Sequence, residues 1–296
     1  MTENKVSRKG PSKMAERIAL IRAGESRKPE NERICYDPYA IRFISPVMLE
    51  FISKYPDLFR AAGEQFERFI PGANNSIIAR VRYFDDFIKD SIKEGLDQLV
   101  ILGAGYDTRA YRIEELKNLK VFEVDHQDTL DFKIKKVKEI FNLLPEHVVY
   151  VPIDFETETL DQKLLDGEYD PSKKTLFIME GLVYYIPPES VDETISFIVN
   201  NSGDESAVLF DYYPESVIDG TSKLEVGRNT KAHAEELGEP LQFGIEDGKI
   251  ENFLKQRGFS KIKDITSEDY KKAYFHGKNE NSEVCSIYSF VYAFKD

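Results

Sequence analysis

Three short segments combine residue types that could hold a cofactor resembling a nucleotide. In Gly103-Ala104-Gly105, glycines at alternate positions allow a sharp turn and let a ligand approach the backbone closely. Asp125 follows 22 positions after Gly103, and a carboxylate there can accept hydrogen bonds from both hydroxyls of a ribose. Asp154-Phe155 pairs an acid, which could bind the amino group of adenine, with a ring that could cover the base. Each acid could instead cap a helix, and such glycine pairs also occur in ordinary turns.

Each of these segments follows a short apolar run that is typical of a buried strand. The runs alternate with stretches of helical periodicity, which favours a parallel, doubly wound α/β sheet. The ligand crevice of such a sheet lies beyond the carboxyl ends of its strands, where the three segments would meet. The predicted strands are Gln98–Leu102, Lys120–Val124, His147–Val151, Thr175–Met179 and Ala207–Asp211, and the predicted helices between them span 127–143, 157–166 and 189–200.

The junction between the glycine loop and the following helix distinguishes two classes of cofactor. A dinucleotide fingerprint needs a third small residue for close helix packing and places a pyrophosphate at the helix N-terminus. The third position here is Thr108, and the carboxylate of Asp107 before it would repel a pyrophosphate. The same carboxylate suits a cofactor that carries an ammonium and a sulfonium group. We therefore favour S-adenosylmethionine, with a nicotinamide-dependent oxidoreductase as the alternative.

The end of the chain has the pattern expected of a class I methyltransferase sheet. A predicted helix at 246–257 precedes two apolar runs, 259–265 and 285–294, which would form a hairpin at one edge as strands six and seven. We therefore predict a Rossmann-like, doubly wound sheet of seven strands with the last strand antiparallel. Residues 214–245 show little regular patterning and could form an insertion.

Nearly a hundred residues precede the first strand, and their pattern predicts helices. A helix is plausible from Met14 to Arg22, and residues 36–60 show helical patterning interrupted by prolines. A strongly amphipathic helix follows, with Asn74 or Asn75 as its cap and Gly95 as a natural stop. Its apolar stripe consists of Ile77, Val81, Phe84, Ile88 and Ile92.

This distribution of patterns predicts one compact unit with two parts. We predict a helical cover over residues 1–95, which begins with a mobile tail at 1–12, and a sheet domain that binds the cofactor over residues 96–296. The formal net charge is −13, but residues 1–33 hold nine basic and five acidic residues. The N-terminal part is therefore a basic arm on an acidic body.

Six segments that span these parts have a characteristic order and spacing. They are Asp37–Ala40, Ile78–Arg82, Leu102–Arg112, Phe122–Asp125, Val151–Phe155 and Glu180–Ile186. Together they resemble the leucine carboxyl methyltransferase family, which includes shorter bacterial and archaeal O-methyltransferases. The resemblance covers about residues 16–200 and is specific as a combination, whereas the C-terminal third matches more loosely.

The resemblance implies a role for each matching position. Arg80 would pair with the carboxylate of the cofactor, although a solvated helix charge is the alternative reading. The glycine loop would pack beside the methionine portion, and Glu180 would lie near the ammonium group or the reacting centre. In this family the N-terminal helices fold over the cofactor, so Arg22, Arg27 or Lys28 could face a carboxylate. The predicted cofactor-binding residues are Arg80, Gly103, Ala104, Gly105, Asp125, His126, Asp154, Phe155 and Glu180.

The methyl acceptor is less well defined by the sequence. A carboxylate acceptor is already ionised at neutral pH and needs no general base, whereas a hydroxyl needs one. No residue stands in a motif that identifies such a base, and Tyr184, Tyr185 and Tyr212 are the candidates for shaping the acceptor site. The absence of an appended recognition domain favours a small molecule over the C-terminal carboxylate of a protein. A protein that binds S-adenosylmethionine without catalysis is a further alternative.

The composition argues against other classes of protein. An acidic excess does not favour binding to nucleic acid or to an anionic membrane, because both need a positive field. Cys35 and Cys285 are expected to be buried free thiols, and the four histidines show no zinc spacing, so we predict no metal site. No apolar run approaches the ~20 residues that cross a bilayer, and a cytoplasmic protein is the default expectation.

Overall fold

A seven-stranded mixed sheet with helices on both faces forms the centre of the protein. The computed structural model describes residues 10–155 and 157–295, so residues 1–9 of the predicted mobile tail lie outside the described residues. The strand order is β3-β2-β1-β4-β5-β7-β6. The strands are β1 Gln98–Leu102, β2 Lys120–Asp125, β3 Val148–Pro152, β4 Thr175–Met179, β5 Ala207–Tyr212, β6 Phe259–Ile265 and β7 Ser289–Lys295.

The pairing of these strands confirms the predicted fold class. Strands β1 to β5 pair in parallel, and β7 lies antiparallel between β5 and β6. Every residue of β1, β4 and β5 is buried, as expected where helices cover both faces of a parallel sheet. The two closing strands form the predicted antiparallel pair at one edge, although a helix that the sequence did not predict, α12, connects them.

Twelve α-helices occur among the described residues, and their positions follow the predicted alternation after β1. In the described ranges, every helix is too short or too polar to cross a bilayer. The helices are α1 Lys13–Ser26, α2 Pro46–Lys54, α3 Pro56–Phe69, α4 Ala73–Lys93, α5 Arg109–Arg112, α6 Gln127–Phe141, α7 Leu160–Leu164, α8 Pro188–Asn200, α9 Glu215–Asp219, α10 Glu225–Glu236, α11 Ile250–Lys255 and α12 Ser267–Tyr274.

Side chains that alternate along the strands enter two separate cores. In β1, Leu99 and Ile101 join the core beneath the N-terminal helices, whereas Val100 and Leu102 join the core beneath α7, α8 and α11. Phe84 of α4 is fully buried in the first core, so the predicted amphipathic helix lies against the sheet. The N-terminal helices therefore pack on one face of the sheet and reach its carboxyl edge.

One prediction about a helix is wrong, and one region contains helices that the sequence did not indicate. The N-cap of α4 is Gly72 rather than Asn74 or Asn75, because both asparagine side chains donate elsewhere, to Glu67 at 3.1 Å and to the carbonyl of Glu283 at 2.8 Å. The region 214–245, which shows little regular patterning in the sequence, contains the two helices α9 and α10. The buried face of α10 is made of Gly227, Thr230 and Ala234, and such small residues leave no apolar periodicity in the sequence.

A buried ion pair connects the sheet to α6 and to the glycine loop. Lys133 of α6 and Glu123 of β2 are both fully buried, with Nζ and Oε2 2.9 Å apart. Tyr111 donates to the same carboxylate at 2.9 Å, and Lys133 also donates to the carbonyl of Ala104 at 3.3 Å. Burial raises the pKa of Glu123, although the charge of Lys133 acts against this shift. The pair therefore helps to fix the loop after β1.

We expect Lys133→Met to lower the free energy of unfolding by about 3–5 kcal/mol, because it leaves a buried carboxylate without its counter-ion. The loss should be smaller at about pH 5 than at about pH 8. In this variant the pKa of Glu123 in the folded state lies further above its value in the unfolded state, because the charge of Lys133 is gone. The stability of the variant therefore falls as the pH rises through the folded-state pKa. Urea denaturation measures both effects. The double variant Glu123→Gln/Lys133→Met should regain part of the loss. Equal stability of the single and the double variant would show that the unpaired carboxylate of Glu123 is not the cause.

Candidate active site

A cavity of about 1040 Å³ lies at the carboxyl edge of the sheet, below the N-terminal helices. Its wall includes residues that directly follow β1, β2 and β4, together with parts of α1, α4 and α10. All nine residues predicted to bind the cofactor line this one cavity: Arg80, Gly103, Ala104, Gly105, Asp125, His126, Asp154, Phe155 and Glu180. The structure thus brings together segments that lie up to 100 positions apart in the sequence.

Asp125 fixes the glycine loop at one end of the cavity. Its Oδ2 accepts from the backbone N–H of Gly105 at 2.6 Å, and its Oδ1 accepts from the backbone N–H of His126 at 2.7 Å. His126, not Asp125, is the N-cap of α6, so the helix-cap reading of Asp125 is wrong. A side chain at Gly105 would meet the Cβ of Ala15 at 3.3 Å, which shows how closely α1 covers the loop.

Asp154 and Phe155 form the neighbouring wall, after β3. The carbonyl of Asp154 accepts from the backbone N–H groups of Thr157 and Glu158 in a tight turn. The N-cap of the next α-helix is Thr159, so the cap reading is also wrong for Asp154. The ring of Phe155 is half-buried at the edge of the second core. An acid and an aromatic ring that follow each other in the chain therefore both line the cavity.

Arg80 lies in a buried cluster of charges that joins α4 to the carboxyl ends of β4 and β5. Its Nε donates to Glu180 at 3.0 Å and its Nη1 donates to Asp211 at 2.8 Å, and Tyr288 contacts both Arg80 and Asp211. Glu180 also accepts from Arg109 at 2.5 Å. Only 3% of the Arg80 side chain is exposed, so the solvated-charge reading is wrong.

Asp211 is a residue of this site that the sequence reasoning missed. It lies in β5, is fully buried, and accepts from Arg80, from the backbone N–H of Gly181 at 2.7 Å and from the hydroxyl of Tyr184 at 3.0 Å. Burial and this carboxylate raise the pKa of Tyr184. The signal was a single acid within an otherwise apolar strand, since a charge in that position is rarely buried without a partner.

Asp107 does not present a free negative charge to the cavity. Its carboxylate accepts from the backbone N–H of Arg109 at 2.7 Å and from the guanidinium of the same residue at 2.5 Å. Although burial alone would raise the pKa of Asp107, the charge of Arg109 holds it well below its usual range. Asp107 would therefore repel a pyrophosphate only weakly. Other observations have to decide between S-adenosylmethionine and a dinucleotide.

The cavity also has an aromatic part. Its wall includes Tyr184, Tyr185 and Tyr213, whereas the hydroxyl of Tyr212 donates to Asp264 on β6. Arg17 of α1 and His233 of α10 also line it. Within the described ranges, no group of three or more His, Cys, Asp or Glu side chains could hold a metal ion.

The segment after α10 also lines the cavity and docks on two of these tyrosines. The backbone N–H of Gln242 donates to the carbonyl of Tyr184 at 2.8 Å, and its side-chain amide donates to the carbonyl of Tyr185 at 2.6 Å. Of the basic residues proposed to face a carboxylate, Arg22 lines the cavity but pairs with Asp37, and Lys28 pairs with Glu25.

The sequence profile described as leucine carboxyl methyltransferase matches residues 15–199. The chain belongs to the leucine carboxyl methyltransferase family. The predicted family and the prediction of a methyltransferase are thereby confirmed, and the oxidoreductase alternative is not supported. All nine predicted cofactor-binding residues lie within the matched part, whereas His233 and Gln242 lie beyond it.

Named relatives and solved structures agree with membership of the leucine carboxyl methyltransferase family. YktD of Bacillus subtilis, which its name places among S-adenosyl-L-methionine-dependent methyltransferases, is 30% identical over 219 residues, 74% of this chain and 72% of that protein. A Mycolicibacterium smegmatis protein with the same designation is 33% identical over 185 residues, 60% and 59% of the two chains.

Two crystal structures show the same fold at low sequence identity. A structure from Thermobifida fusca, titled as a methyltransferase, has a TM-score of 0.62 at 13% identity and covers 97% of this chain and 96% of its own. A DUF574 protein from Streptomyces avermitilis has a TM-score of 0.61 at 14% identity and covers 94% and 97%. These similarities support the seven-stranded fold of the family member described here.

We expect Arg80→Ala to lower the free energy of unfolding by about 3–5 kcal/mol, because it leaves Asp211 buried without its counter-ion. Arg82→Ala, two positions along the same helix, removes an exposed pair with Asp86 and should cost no more than about 0.5 kcal/mol. Chemical denaturation of both variants measures the difference. Equal stability of the two variants would show that the Arg80 cluster does not hold α4 to the sheet.

Proposed function

We propose that the protein is an O-methyltransferase that transfers a methyl group from S-adenosylmethionine to a carboxylate, or else a hydroxyl, of a small molecule. S-adenosylmethionine is the cofactor, a prediction confirmed by the family and by the designation of its relatives. The observation that carries the proposal is the joint presence, at one cavity, of the glycine loop, two strand-end acids and an aromatic pocket.

The residues at the sheet edge fit the parts of this cofactor. We assign the ribose to Asp125, with His126 beside it, and the adenine to Asp154 and Phe155. The glycine loop allows close approach of the methionine portion. Arg80 and Glu180, which bind each other at 3.0 Å, offer opposite charges to the carboxylate and the ammonium group.

We assign the acceptor to the part of the cavity lined by Tyr184, Tyr185, Tyr213, Arg17 and His233, and call it the acceptor end. Its chemistry favours a carboxylate. When bound, S-adenosylmethionine supplies an electrophilic methyl group, so the protein mainly has to hold and orient the acceptor. A hydroxyl acceptor would need a base, but the Nε2 atom of His233 already accepts from Arg17 at 2.6 Å. Burial raises the pKa of Tyr185 and Tyr213, which makes both phenols poor bases near neutral pH. A carboxylate needs no deprotonation there.

The walls of the cavity favour a small acceptor over a protein chain. Helix α1 covers one side and α10 with the segment to Gln242 covers another, so a volume of about 1040 Å³ has to accommodate both cofactor and acceptor. This is near the upper end of typical small-molecule sites. The C-terminal carboxylate of a protein is the second candidate for the acceptor, since the family is named for that chemistry.

We further propose a division of work between residues 1–95, which cover the site, and residues 96–296, which bind the cofactor. Both cysteines are buried free thiols, as predicted, and this suits a reducing compartment such as the cytoplasm. The proposed partner is the small-molecule acceptor, without nucleic acid or membrane.

We expect Asp125→Asn to weaken S-adenosylmethionine binding about 10- to 100-fold, the equivalent of one charge-assisted hydrogen bond of roughly 1.5–3 kcal/mol. Asparagine keeps an acceptor for the N–H of Gly105, so the loop should stay in place. Isothermal titration calorimetry measures the affinity. Asp131→Asn, an exposed acid on α6, is the matched control. An unchanged affinity in Asp125→Asn would place the cofactor elsewhere, and binding of NAD but not S-adenosylmethionine by the wild type would refute the proposed function.

The product distinguishes a carboxylate acceptor from a hydroxyl. Incubation with methyl-labelled S-adenosylmethionine and a metabolite extract should label a small molecule. Mild base should release the label as methanol, because a methyl ester hydrolyses under conditions that leave a methyl ether intact. A base-stable label would assign the acceptor group to a hydroxyl, and a label found only on protein would favour the second candidate.

A further inference from the structure

Arg17 is partly buried and differs from four arginines nearby in having no acidic partner among the described residues. Arg22, Arg80, Arg109 and Arg112 each form an ion pair with at least one Asp or Glu. In the described ranges, no carboxylate forms an ion pair with Arg17, although its side chain is partly buried. The chain has 53 acidic residues, so the missing partner does not reflect a shortage of acids.

The guanidinium of Arg17 is held in place by two uncharged neighbours. Its Cζ lies 4.0 Å from the centre of the Phe66 ring, and its Nη1 lies 2.6 Å from Nε2 of His233. Arginine can only donate, so Nε2 must accept and the imidazole is neutral with its proton on Nδ1. Burial and the charge of Arg17 lower the pKa of His233, which agrees with a neutral ring. The pair therefore keeps a net positive charge.

The surroundings of Arg17 define what could neutralise that charge. Both Arg17 and His233 line the cavity, at its acceptor end, next to Tyr185 and Tyr213. The guanidinium has five N–H donors in a planar fork, and His233 takes one of them. The remaining donors and the aromatic wall match an anionic group attached to an apolar or aromatic body.

We propose that Arg17 binds a carboxylate of the acceptor and so selects acidic molecules with an apolar body. This inference rests on the proposed function, because it assigns the acceptor of the same site. His233 and Phe66 act as positioning residues that fix the guanidinium. Arg17 is distinct from the residues assigned to the cofactor, which lie on α4 and at the ends of β1 to β4.

Binding of a carboxylate and of its uncharged analogue tests the role of Arg17. The wild type, saturated with S-adenosylhomocysteine, is titrated by calorimetry with 3-phenylpropanoate and with 3-phenylpropanol. We expect the acid to bind the wild type more tightly than the alcohol. Arg17→Gln should weaken binding of the acid about 10- to 100-fold and leave binding of the alcohol unchanged, because one charge-assisted contact is lost. Arg17→Lys should retain part of the preference.

The controls separate this proposal from the proposed function. Arg60→Gln removes an exposed arginine of the same helical cover and should leave the preference for the acid unchanged. Arg17→Gln should bind S-adenosylmethionine as the wild type does, which also shows that the variant is folded. A wild type that binds the acid no more tightly than the alcohol overturns the proposal for Arg17. A loss of S-adenosylmethionine affinity in Arg17→Gln overturns it as well and assigns the residue to the cofactor, whereas a wild type that does not bind S-adenosylmethionine refutes the proposed function.

Discussion

The site depends on the buried ion pairs that join α4 to the carboxyl edge of the sheet. Arg80 of α4 forms ion pairs with Glu180, which follows β4, and with Asp211 of β5. A buried charge is tolerated only with a partner in good geometry, so the helix cannot shift along the sheet without separating these groups. Arg109 repeats the arrangement by binding Asp85 of α4, Asp107 and Glu180. The helical cover and the cofactor edge are therefore coupled through charges.

These pairs also change the meaning of the acidic composition. A net charge of −13 suggests a cavity that attracts cations, and Glu180 and Asp107 do lie at its wall. Both carboxylates, however, are neutralised by Arg109. The charges of Arg80 and Arg109 at the sheet edge are thus paired, whereas Arg17 has no acidic partner among the described residues. Local pairing, rather than net charge, decides which ligands are favoured.

The sequence predicted the sheet and the cofactor edge because both depend on local patterns. The strand Thr175–Met179 was predicted with the bounds that the structure shows, since a short apolar run between polar segments is a strong signal. The glycine loop and the strand-end acids follow from the geometry of a parallel sheet. Contacts between distant residues carry no such signal: Arg17 and His233 are 216 positions apart, and the role of Asp211 depends on a partner 131 positions away.

The acceptor end is the part of the site that local patterns describe least, and there is a physical reason for this. Its walls come from α1, from α10, whose buried face consists of small residues, and from a segment docked by the amide of Gln242 on two carbonyls. The match to the family ends at residue 199, before α10 begins. The residues proposed to hold the cofactor thus lie within the family match, whereas α10 and the segment to Gln242, which line the proposed acceptor end, lie outside it. If the acceptor binds there as proposed, its selection depends on the contact between α1 and α10, where Arg17 and His233 meet at the cavity.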